Sequence, residues 1–363
     1  MPLSIRPAVA AVPAYKPGAP APTGPGGVSY KLSSNENPFP PLPGVLEAAH
    51  RACERMNRYP DLAGTELVKA LAARFGVGED EIGLGTGSVG VLYTLLQAMV
   101  GEGDEVVYAW RSFEAYPIAV QLTGARGVQV PLAPGAVHDL DAMLQAITPD
   151  TKVIMVCTPN NPTGPAVDHD QLAAFIEQVP DHIMIMVDEA YVEFGTAPQR
   201  ARPLELRRDN VVILRTFSKA YGLAGFRVGF CIAAPMVVDA VRAASLPFGV
   251  SIPAQAAAVA SLEAEDELLQ RVQTLITERE RLLAGMRDLG FEVPDSQANF
   301  VWLRAGDDTE RYDNLFTSAG LVTRAFADGT PDAGLRITVG EPEANALVLD
   351  ALRRDLSTRP TPA

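Results

Sequence analysis

Predominantly apolar runs of four to six residues recur through the middle of the chain, at 105–109, 153–157, 183–187, 211–214 and 228–233. Runs that are apolar at consecutive positions are typical of strands covered on both faces of a sheet. Between them lie stretches with helical spacing of apolar residues, several opening with Asp or Pro, at 139–147, 170–177 and 235–244. The alternation repeats at about the 30-residue interval of βαβ units. It predicts an α/β fold in which a mostly parallel central sheet is flanked by helices.

The pattern changes after Pro253, where a long helix is predicted at 254–288 and strand-like segments follow at 300–303, 320–324 and 334–339. This change predicts a second, smaller α+β domain. We therefore expect a flexible N-terminal arm, a large domain whose N-terminal segment contacts the small one, and the small C-terminal domain, at 1–30, 31–250 and 251–363. Prolines interrupt the apolar runs of the arm, and no segment approaches the roughly 18 apolar residues of a membrane span.

Composition narrows the classes of partner. Of the 363 residues 47% are hydrophobic and 20% charged, as in a soluble globular protein. The formal net charge of −14 disfavours nucleic acid and membrane surfaces, because both polyanions would be repelled over most of the protein. Cys53, Cys157 and Cys231 show no CxxC pairing, so we expect reduced thiols and a cytoplasmic location. The four histidines lack partners at metal-ligand spacing, so we expect no metal site.

Polar residues follow three successive apolar runs. Asn161 comes after the run 153–157, Asp188 and Tyr191 follow the run 183–187, and Lys219 follows the run 211–214. Each of the first three has an ordinary alternative: a turn cap, a helix cap or a core ring. Because ligands of open parallel sheets lie beyond the carboxyl ends of the strands, we instead predict one shared ligand site.

Lys219 has neighbours that suit a phosphate. Thr216 and Ser218 precede it and Arg227 follows eight residues later, so hydroxyls and a guanidinium accompany an amine. An amine that must be partly neutral to react, beside a dianionic phosphate, is the chemistry of pyridoxal phosphate bound to a lysine. An ordinary surface helix beginning with Ser-Lys is the alternative.

The glycine-rich segment 85–90, Gly-Thr-Gly-Ser-Val-Gly, precedes an amphipathic stretch at 91–100. Backbone N–H groups at the start of such a helix would face the predicted site and bind phosphate. The spacing fits neither a Walker loop nor a GxGxxG fingerprint with its partner acid, so nucleotide binding is the weaker interpretation.

Together these motifs resemble the fold-type I pyridoxal phosphate aminotransferases, within the class that holds histidinol-phosphate aminotransferase and its aromatic relatives. The resemblance runs from about Lys31 to Val339, and its markers lie at 34–38, 58–61, 160–164, 188–191, 218–225 and 335–340. The segment 110–117, Trp-Arg-Ser-Phe-Glu-Ala-Tyr-Pro, is similar to the actinobacterial branch of aromatic, or phenylalanine, aminotransferases.

The resemblance implies roles around the cofactor. Lys219 would anchor it covalently and move the proton between the substrate Cα and the cofactor C4′. Asp188 would keep the pyridine nitrogen protonated, Asn161 and Tyr191 would bind the phenolic oxygen, and Phe113 would stack on the ring. Its phosphate would be bound by Gly87, Ser88, Val89, Thr216, Ser218 and Arg227, and by Tyr59 from the partner subunit of a homodimer.

Substrate binding is implied for Arg336, Arg324 and Asn35. Arg336 would bind the α-carboxylate as a planar fork, although a surface ion pair is the ordinary alternative for a strand arginine. Arg324 would bind the substrate phosphate in a histidinol-phosphate enzyme or the distal carboxylate of 2-oxoglutarate in an aromatic one. The chain departs from the family at Ser88-Val89-Gly90, where Ser-Asp-Glu is common, which leaves the substrate open.

We therefore expect an aminotransferase that moves the amino group between a phenylalanine-like amino acid and 2-oxoglutarate. The first alternative is histidinol-phosphate aminotransferase, which shares every catalytic residue. The second is a non-catalytic, cofactor-binding regulator fused to a DNA-binding module. Against it, only about 30 residues precede the motif region, and they contain no basic helix.

Overall fold

The computed structural model describes residues 3–12, 27 and 29–358. Twelve strands are found there: β1 Tyr30–Lys31, β2 Ile82–Gly85, β3 Glu105–Trp110, β4 Arg126–Pro131, β5 Thr151–Cys157, β6 Met184–Asp188, β7 Val211–Thr216, β8 Gly229–Ile232, β9 Phe300–Arg304, β10 Leu321–Val322, β11 Arg324–Phe326 and β12 Gly334–Thr338. The α-helices of the same residues are α1 Pro7–Ala10, α2 Pro43–Cys53, α3 Thr65–Phe75, α4 Gly87–Met99, α5 Ala115–Thr123, α6 Leu140–Gln145, α7 His169–Gln178, α8 Pro235–Ala244, α9 Ile252–Glu263, α10 Glu265–Asp288, α11 Thr309–Ser318 and α12 Pro342–Thr358.

The central sheet has seven strands in the order β2-β8-β7-β6-β5-β3-β4. The neighbours from β7 to β4 pair in parallel, whereas β8 is antiparallel to both β7 and β2. The predicted α/β class with a mostly parallel sheet is confirmed. β8 follows β7 through residues 217–228, which contain one 3-10 turn and no crossover helix of the kind that usually joins parallel strands.

Both faces of this sheet are covered by apolar side chains. In β5, Ile154 and Val156 join one hydrophobic cluster, while Val153 and Met155 join the cluster on the other face. Because successive side chains of a strand point to opposite faces, a strand buried on both sides must be apolar throughout. This requirement explains why the runs found in the sequence became β3, β5, β6, β7 and β8.

The C-terminal part contains an antiparallel sheet, β11-β12-β9, which packs with α10, α11 and α12 around a third hydrophobic cluster. The prediction of one helix over 254–288 is wrong, since α9 ends at Glu263 and α10 begins at Glu265. Residues 265–267 thereby form an acidic first turn of α10. Their negative charges interact favourably with the positive end of the helix dipole. The predicted strand at 320–324 is divided between β10 and β11.

The N-terminal region also contacts the C-terminal part. β1 pairs in parallel with β10, joining Tyr30 to Leu321. Of the predicted arm, residues 1–2, 13–26 and 28 lie outside the described residues. Arg6, which directly precedes α1, donates to the Leu122 carbonyl oxygen at 3.1 Å. The predicted domain boundaries at 30 and 250 stay predictions. Within the described part of the chain, no helix is long and apolar enough to cross a membrane.

Candidate active site

A cavity lies at the carboxyl ends of β5, β6 and β7, between the central sheet and β12. Most of the predicted site residues line it: Asn35, Ser88, Val89, Phe113, Asn161, Asp188, Tyr191, Thr216, Ser218, Lys219, Arg227, Arg324 and Arg336. It is also lined by residues not predicted from the sequence, namely Ser33, Ser34, Glu36, Glu114, Cys157, Ala190 and Ala224. The sheet thus brings side chains from distant segments of the chain to one place.

Lys219 lies in the loop after β7 and projects into this cavity. Its Nζ donates to the Ser34 carbonyl oxygen at 3.0 Å and lies 5.9 Å from the centre of the Tyr191 ring. Burial, together with the nearby Arg336 guanidinium, lowers the pKa of Lys219 to about 7. A lysine with this pKa is partly neutral near pH 7, so its amine can act as a nucleophile and as a base.

Asp188 ends β6, and its side chain is buried. Tyr116, from α5, donates its hydroxyl to Asp188 Oδ2 at 2.9 Å, and the Ala190 N–H donates to Oδ1 at 3.3 Å. Burial nevertheless raises the pKa of Asp188 to about 6. A buried carboxyl group in this state favours a cationic or proton-donating ligand in the cavity.

Asn161 and Tyr191 are buried beside Asp188 and Lys219. The Tyr191 hydroxyl accepts from Asn35 Nδ2 at 2.9 Å, and its ring packs edge-on against Phe300 with 5.1 Å between centres. Burial raises the pKa of Tyr191, which keeps the phenol a hydrogen-bond donor at neutral pH. Asn161 Oδ1 accepts from Arg336 Nη1 at 2.6 Å. The amide and phenol therefore occupy one side of the cavity.

Another group of cavity residues suits an anion. Ser88 and Val89 lie in the first turn of α4, whose N-cap Thr86 makes no side-chain capping bond. Arg227 Nη1 donates to Ser218 Oγ at 3.1 Å, and Thr216 Oγ1 donates to the same oxygen at 3.0 Å. Gly87 does not line the cavity but touches this cluster, since a Cβ at Gly87 would lie 2.5 Å from Arg227 Nη2. Helix N–H groups, hydroxyls and a guanidinium together suit a phosphate.

Two arginines face the cavity from the C-terminal sheet. Arg336 on β12 is buried and, besides Asn161, its Nη2 donates to the Ser33 carbonyl oxygen at 2.5 Å. Arg324 on β11 pairs with Glu114, with 2.9 Å between Nη2 and Oε1. Arg336 is buried, so the surface ion pair considered for it from the sequence does not describe it.

Tyr59 does not reach the cavity of its own chain. It is 80% exposed, and its ring stacks on Phe248 with 4.7 Å between centres. Phe113 does line the cavity and contacts Tyr116 edge-on at 5.7 Å. Sequence reasoning missed Glu114 and the bond from Tyr116 to Asp188. Both residues lie in the aromatic segment 110–117, but their spacing gives no sign of their partners.

The donors and acceptors of this cavity fit pyridoxal phosphate. A reactive amine, a buried carboxyl group, a phenol with an amide, and a phosphate cradle match the aldehyde, pyridine nitrogen, phenolic oxygen and phosphate of that molecule. The buried carboxyl group of Asp188 fits this molecule in particular, because a protonated pyridine nitrogen can donate a hydrogen bond to it. Among the residues described, no group of three or more His, Cys, Asp or Glu is arranged to hold a metal ion.

The fold and this set of side chains define a class. The family model described as aminotransferase class I and II matches residues 29–352, and the chain belongs to that family. The predicted membership of the aminotransferases is thereby confirmed.

The chain is also similar to individual proteins of known name. The chain is 54% identical to an aromatic amino acid aminotransferase of Streptomyces avermitilis, over 96% of this chain and 97% of that protein. It is 50% identical to an aromatic amino acid aminotransferase of Thermobifida fusca, over 96% of each chain. Among solved structures, it resembles histidinol-phosphate aminotransferase from Sinorhizobium meliloti in complex with pyridoxal-5'-phosphate, with a TM-score of 0.84, 28% identity and coverage of 90% of this chain and 92% of that one.

Proposed function

We propose that this protein is a pyridoxal phosphate-dependent aminotransferase that moves the amino group of an aromatic amino acid, such as phenylalanine, to 2-oxoglutarate. The observation that carries the proposal is the convergence of Lys219, Asp188, Asn161, Tyr191 and Arg336 on one cavity. The aromatic substrate is supported by relatives of 44–54% identity that are named aromatic amino acid aminotransferase.

The chain's residues have distinct tasks in this proposal. When bound, pyridoxal phosphate supplies an electron sink for the electrons left at the substrate Cα after its proton is removed. Lys219 would hold the cofactor, and its amine would take up the Cα proton and deliver it to the cofactor C4′. Asp188 would accept a hydrogen bond from the protonated pyridine nitrogen and keep it protonated. Asn161 and Tyr191 donate to the phenolic oxygen.

Binding and orientation fall to the remaining residues. The first turn of α4, Thr216, Ser218 and Arg227 hold the phosphate, and Phe113 packs on the cofactor face. Arg336 binds the substrate α-carboxylate as a planar fork, which aligns the Cα proton with Lys219. Asn35 fixes Tyr191 through the bond to its hydroxyl.

We further propose a homodimer in which Tyr59 reaches the phosphate of the partner subunit's site. The support is its exposure, because an aromatic ring that is 80% exposed beside other exposed apolar side chains suits an interface. Those side chains are Met56, Leu62, Leu246 and Phe248. The predicted cytoplasmic location remains a proposal based on the three free cysteines.

The first experiment adds phenylalanine or histidinol phosphate to the purified holoenzyme and follows the absorbance change of the bound cofactor. We expect rapid conversion by phenylalanine and slow conversion by histidinol phosphate. The reverse order would assign the chain to histidine biosynthesis, the alternative that the resemblance to the Sinorhizobium meliloti enzyme supports. Lys219→Ala should bind cofactor without turnover, and normal turnover in that variant would contradict the aminotransferase itself.

A further inference from the structure

Glu114 forms an ion pair with Arg324 in the wall of the cavity. Its carboxylate contacts Arg324 through three short distances: 2.9 Å from Nη2 to Oε1, 3.0 Å from Nη2 to Oε2 and 3.2 Å from Nε to Oε2. Both residues line the cavity, and their side chains are 14% exposed for Arg324 and 28% exposed for Glu114. This forked pairing is the geometry in which arginine binds a carboxylate most strongly.

Glu114 has no evident role in local structure. It directly precedes α5 but makes no side-chain capping bond with that helix. Its neighbour Phe113 lines the same cavity. The segment before α5 therefore presents an aromatic ring and a carboxylate side by side to the substrate.

Arg324 lies close to Arg336, the residue proposed to bind the substrate α-carboxylate. In the pairing of β11 with β12, Arg324 is directly opposite Arg336. Side chains of opposed residues project from the same face of a sheet, with Cβ atoms about 5 Å apart. If Arg336 binds one carboxylate of a substrate, Arg324 is therefore placed to bind a second anionic group of the same molecule.

We propose that Glu114 is a specificity-determining residue that acts as the internal counter-ion of Arg324. This inference rests on the proposed function, because it explains how one cavity accepts both an aromatic amino acid and 2-oxoglutarate. With an aromatic substrate, Glu114 stays paired and Arg324 presents no net charge to the ring. With a dicarboxylate, the distal carboxylate takes the place of Glu114 on the guanidinium.

The physical reason is desolvation. A guanidinium without a counter-ion is costly to cover with an apolar ring, because the ring excludes the water that would solvate the charge. The Glu114 carboxylate removes that cost for phenylalanine. For 2-oxoglutarate the same carboxylate is a competitor, so its presence weakens binding of the distal group. Removing the charge of Glu114 should shift the two affinities in opposite directions.

The test is Glu114→Gln in the holoenzyme, with each half-reaction measured by single-turnover absorbance over a range of substrate concentrations. We expect the dissociation constant of 2-oxoglutarate to fall about tenfold and that of phenylalanine to rise about tenfold, with limiting rates near those of wild type. Glu114→Asp, which keeps the charge, should lie between wild type and Glu114→Gln. Thermal unfolding of each variant checks that the fold is retained.

Asp328→Asn provides a matched control. Asp328 pairs with Arg111, whose guanidinium lies 5.2 Å from the Phe326 ring centre, and Arg324 lies 5.8 Å from the same centre. The control thus removes a carboxylate from an arginine pair next to the site, but neither Asp328 nor Arg111 lines the cavity. We expect it to leave both dissociation constants unchanged. Shifts of Glu114→Gln in one direction for both substrates, or equal shifts in Asp328→Asn, would overturn the inference.

A non-reacting dicarboxylate separates this inference from the proposed function. Succinate should bind the Glu114→Gln holoenzyme more tightly than the wild-type holoenzyme, whichever amino donor the enzyme uses. If wild type fails to convert phenylalanine but succinate still shows this gain, the aromatic function is wrong and the role of Glu114 stands. If phenylalanine is converted and succinate binds both proteins equally, the inference is wrong and the function stands.

Discussion

At the scale of single residues, burial of the Asp188 carboxyl group lowers the stability of the apoprotein, while its charge has a proposed role in catalysis. Its pKa is about 6 in the folded protein and 3.8 as an ordinary carboxyl, so between these pH values the folded state binds more protons than the unfolded state. Stability of the apoprotein therefore falls as pH rises through this window, and the loss persists above it. Buried carboxyl groups with a raised pKa are expected at sites where function requires a charge that burial disfavours.

Asp188→Asn should accordingly stabilise the apoprotein and inactivate the holoenzyme. The amide oxygen can still accept from the Ala190 N–H, and the amide NH2 can donate to the Tyr116 hydroxyl oxygen. Because the amide carries no charge, we expect a gain of about 3 kcal/mol at pH 7 and almost none near pH 3.5. Turnover should fall by about 100-fold or more, because the pyridine nitrogen loses its electrostatic partner. Urea unfolding of the apoprotein at both pH values, and steady-state kinetics, measure the two effects. Equal stability of variant and wild type at pH 7 would show that burial of Asp188 carries no such cost.

At the scale of elements, the phosphate end depends on how closely β8 approaches the start of α4. A Cβ placed on Gly229 of β8 would lie 2.3 Å from the Ser88 nitrogen and 2.6 Å from the Gly87 carbonyl carbon. These are backbone atoms, so the helix start would have to move. The glycine is required here by close approach, and the helix N–H groups owe their position to it.

Gly229→Ala should therefore impair cofactor binding. We expect a loss of about 1–3 kcal/mol in unfolding free energy from overpacking. The displaced helix start should also weaken pyridoxal phosphate binding by about tenfold or more. Gly101→Ala, beyond the other end of α4, is the control, since a Cβ there meets no atom within 4 Å. Titration of each apoprotein with cofactor gives the affinities, and unchanged affinity in Gly229→Ala would contradict the placement of the phosphate.

The elements also show how far a sequence can be interpreted. Strands buried on both faces, such as β5 and β6, were predictable because burial demands consecutive apolar residues. β2 was missed because Ile-Gly-Leu-Gly has little strand propensity, and β4 because it is an edge strand with four exposed residues. The break at Ala264 was missed because helical spacing of apolar residues continues through it.

The candidate site could also be predicted in part, namely where its residues lie at the ends of parallel strands. Asn161 and Lys219 follow β5 and β7, and Asp188 ends β6 between them, so parallel topology alone brings the three together. Glu114 was not predictable, because its partner Arg324 is 210 residues away on a separate sheet. Their contact depends on how the C-terminal part packs against the central sheet, which local patterns do not encode.

At the scale of the whole molecule, the proposed homodimer determines whether a site is complete. Tyr59 lies outside the cavity of its own chain, so it can serve a cofactor only across an interface. Tyr59→Phe removes one hydroxyl and should weaken pyridoxal phosphate binding by about tenfold, the usual size of a hydrogen bond to a charged group. That result alone would not distinguish action on the partner's site from an indirect effect within one chain.

Heterodimers with differently damaged subunits make the distinction. In a dimer of one Lys219→Ala subunit and one Tyr59→Phe subunit, action across the interface leaves one site with both native residues and the other site with neither. At a fixed, low free cofactor concentration, the heterodimer purified through two affinity tags should then have about half of the wild-type turnover. A heterodimer of Lys219→Ala with Asp188→Asn is the control, because both residues line the cavity of one chain and no native site can form. If the first heterodimer instead has only half of the turnover of the Tyr59→Phe homodimer at the same cofactor concentration, Tyr59 acts within its own chain and each subunit carries a self-contained site.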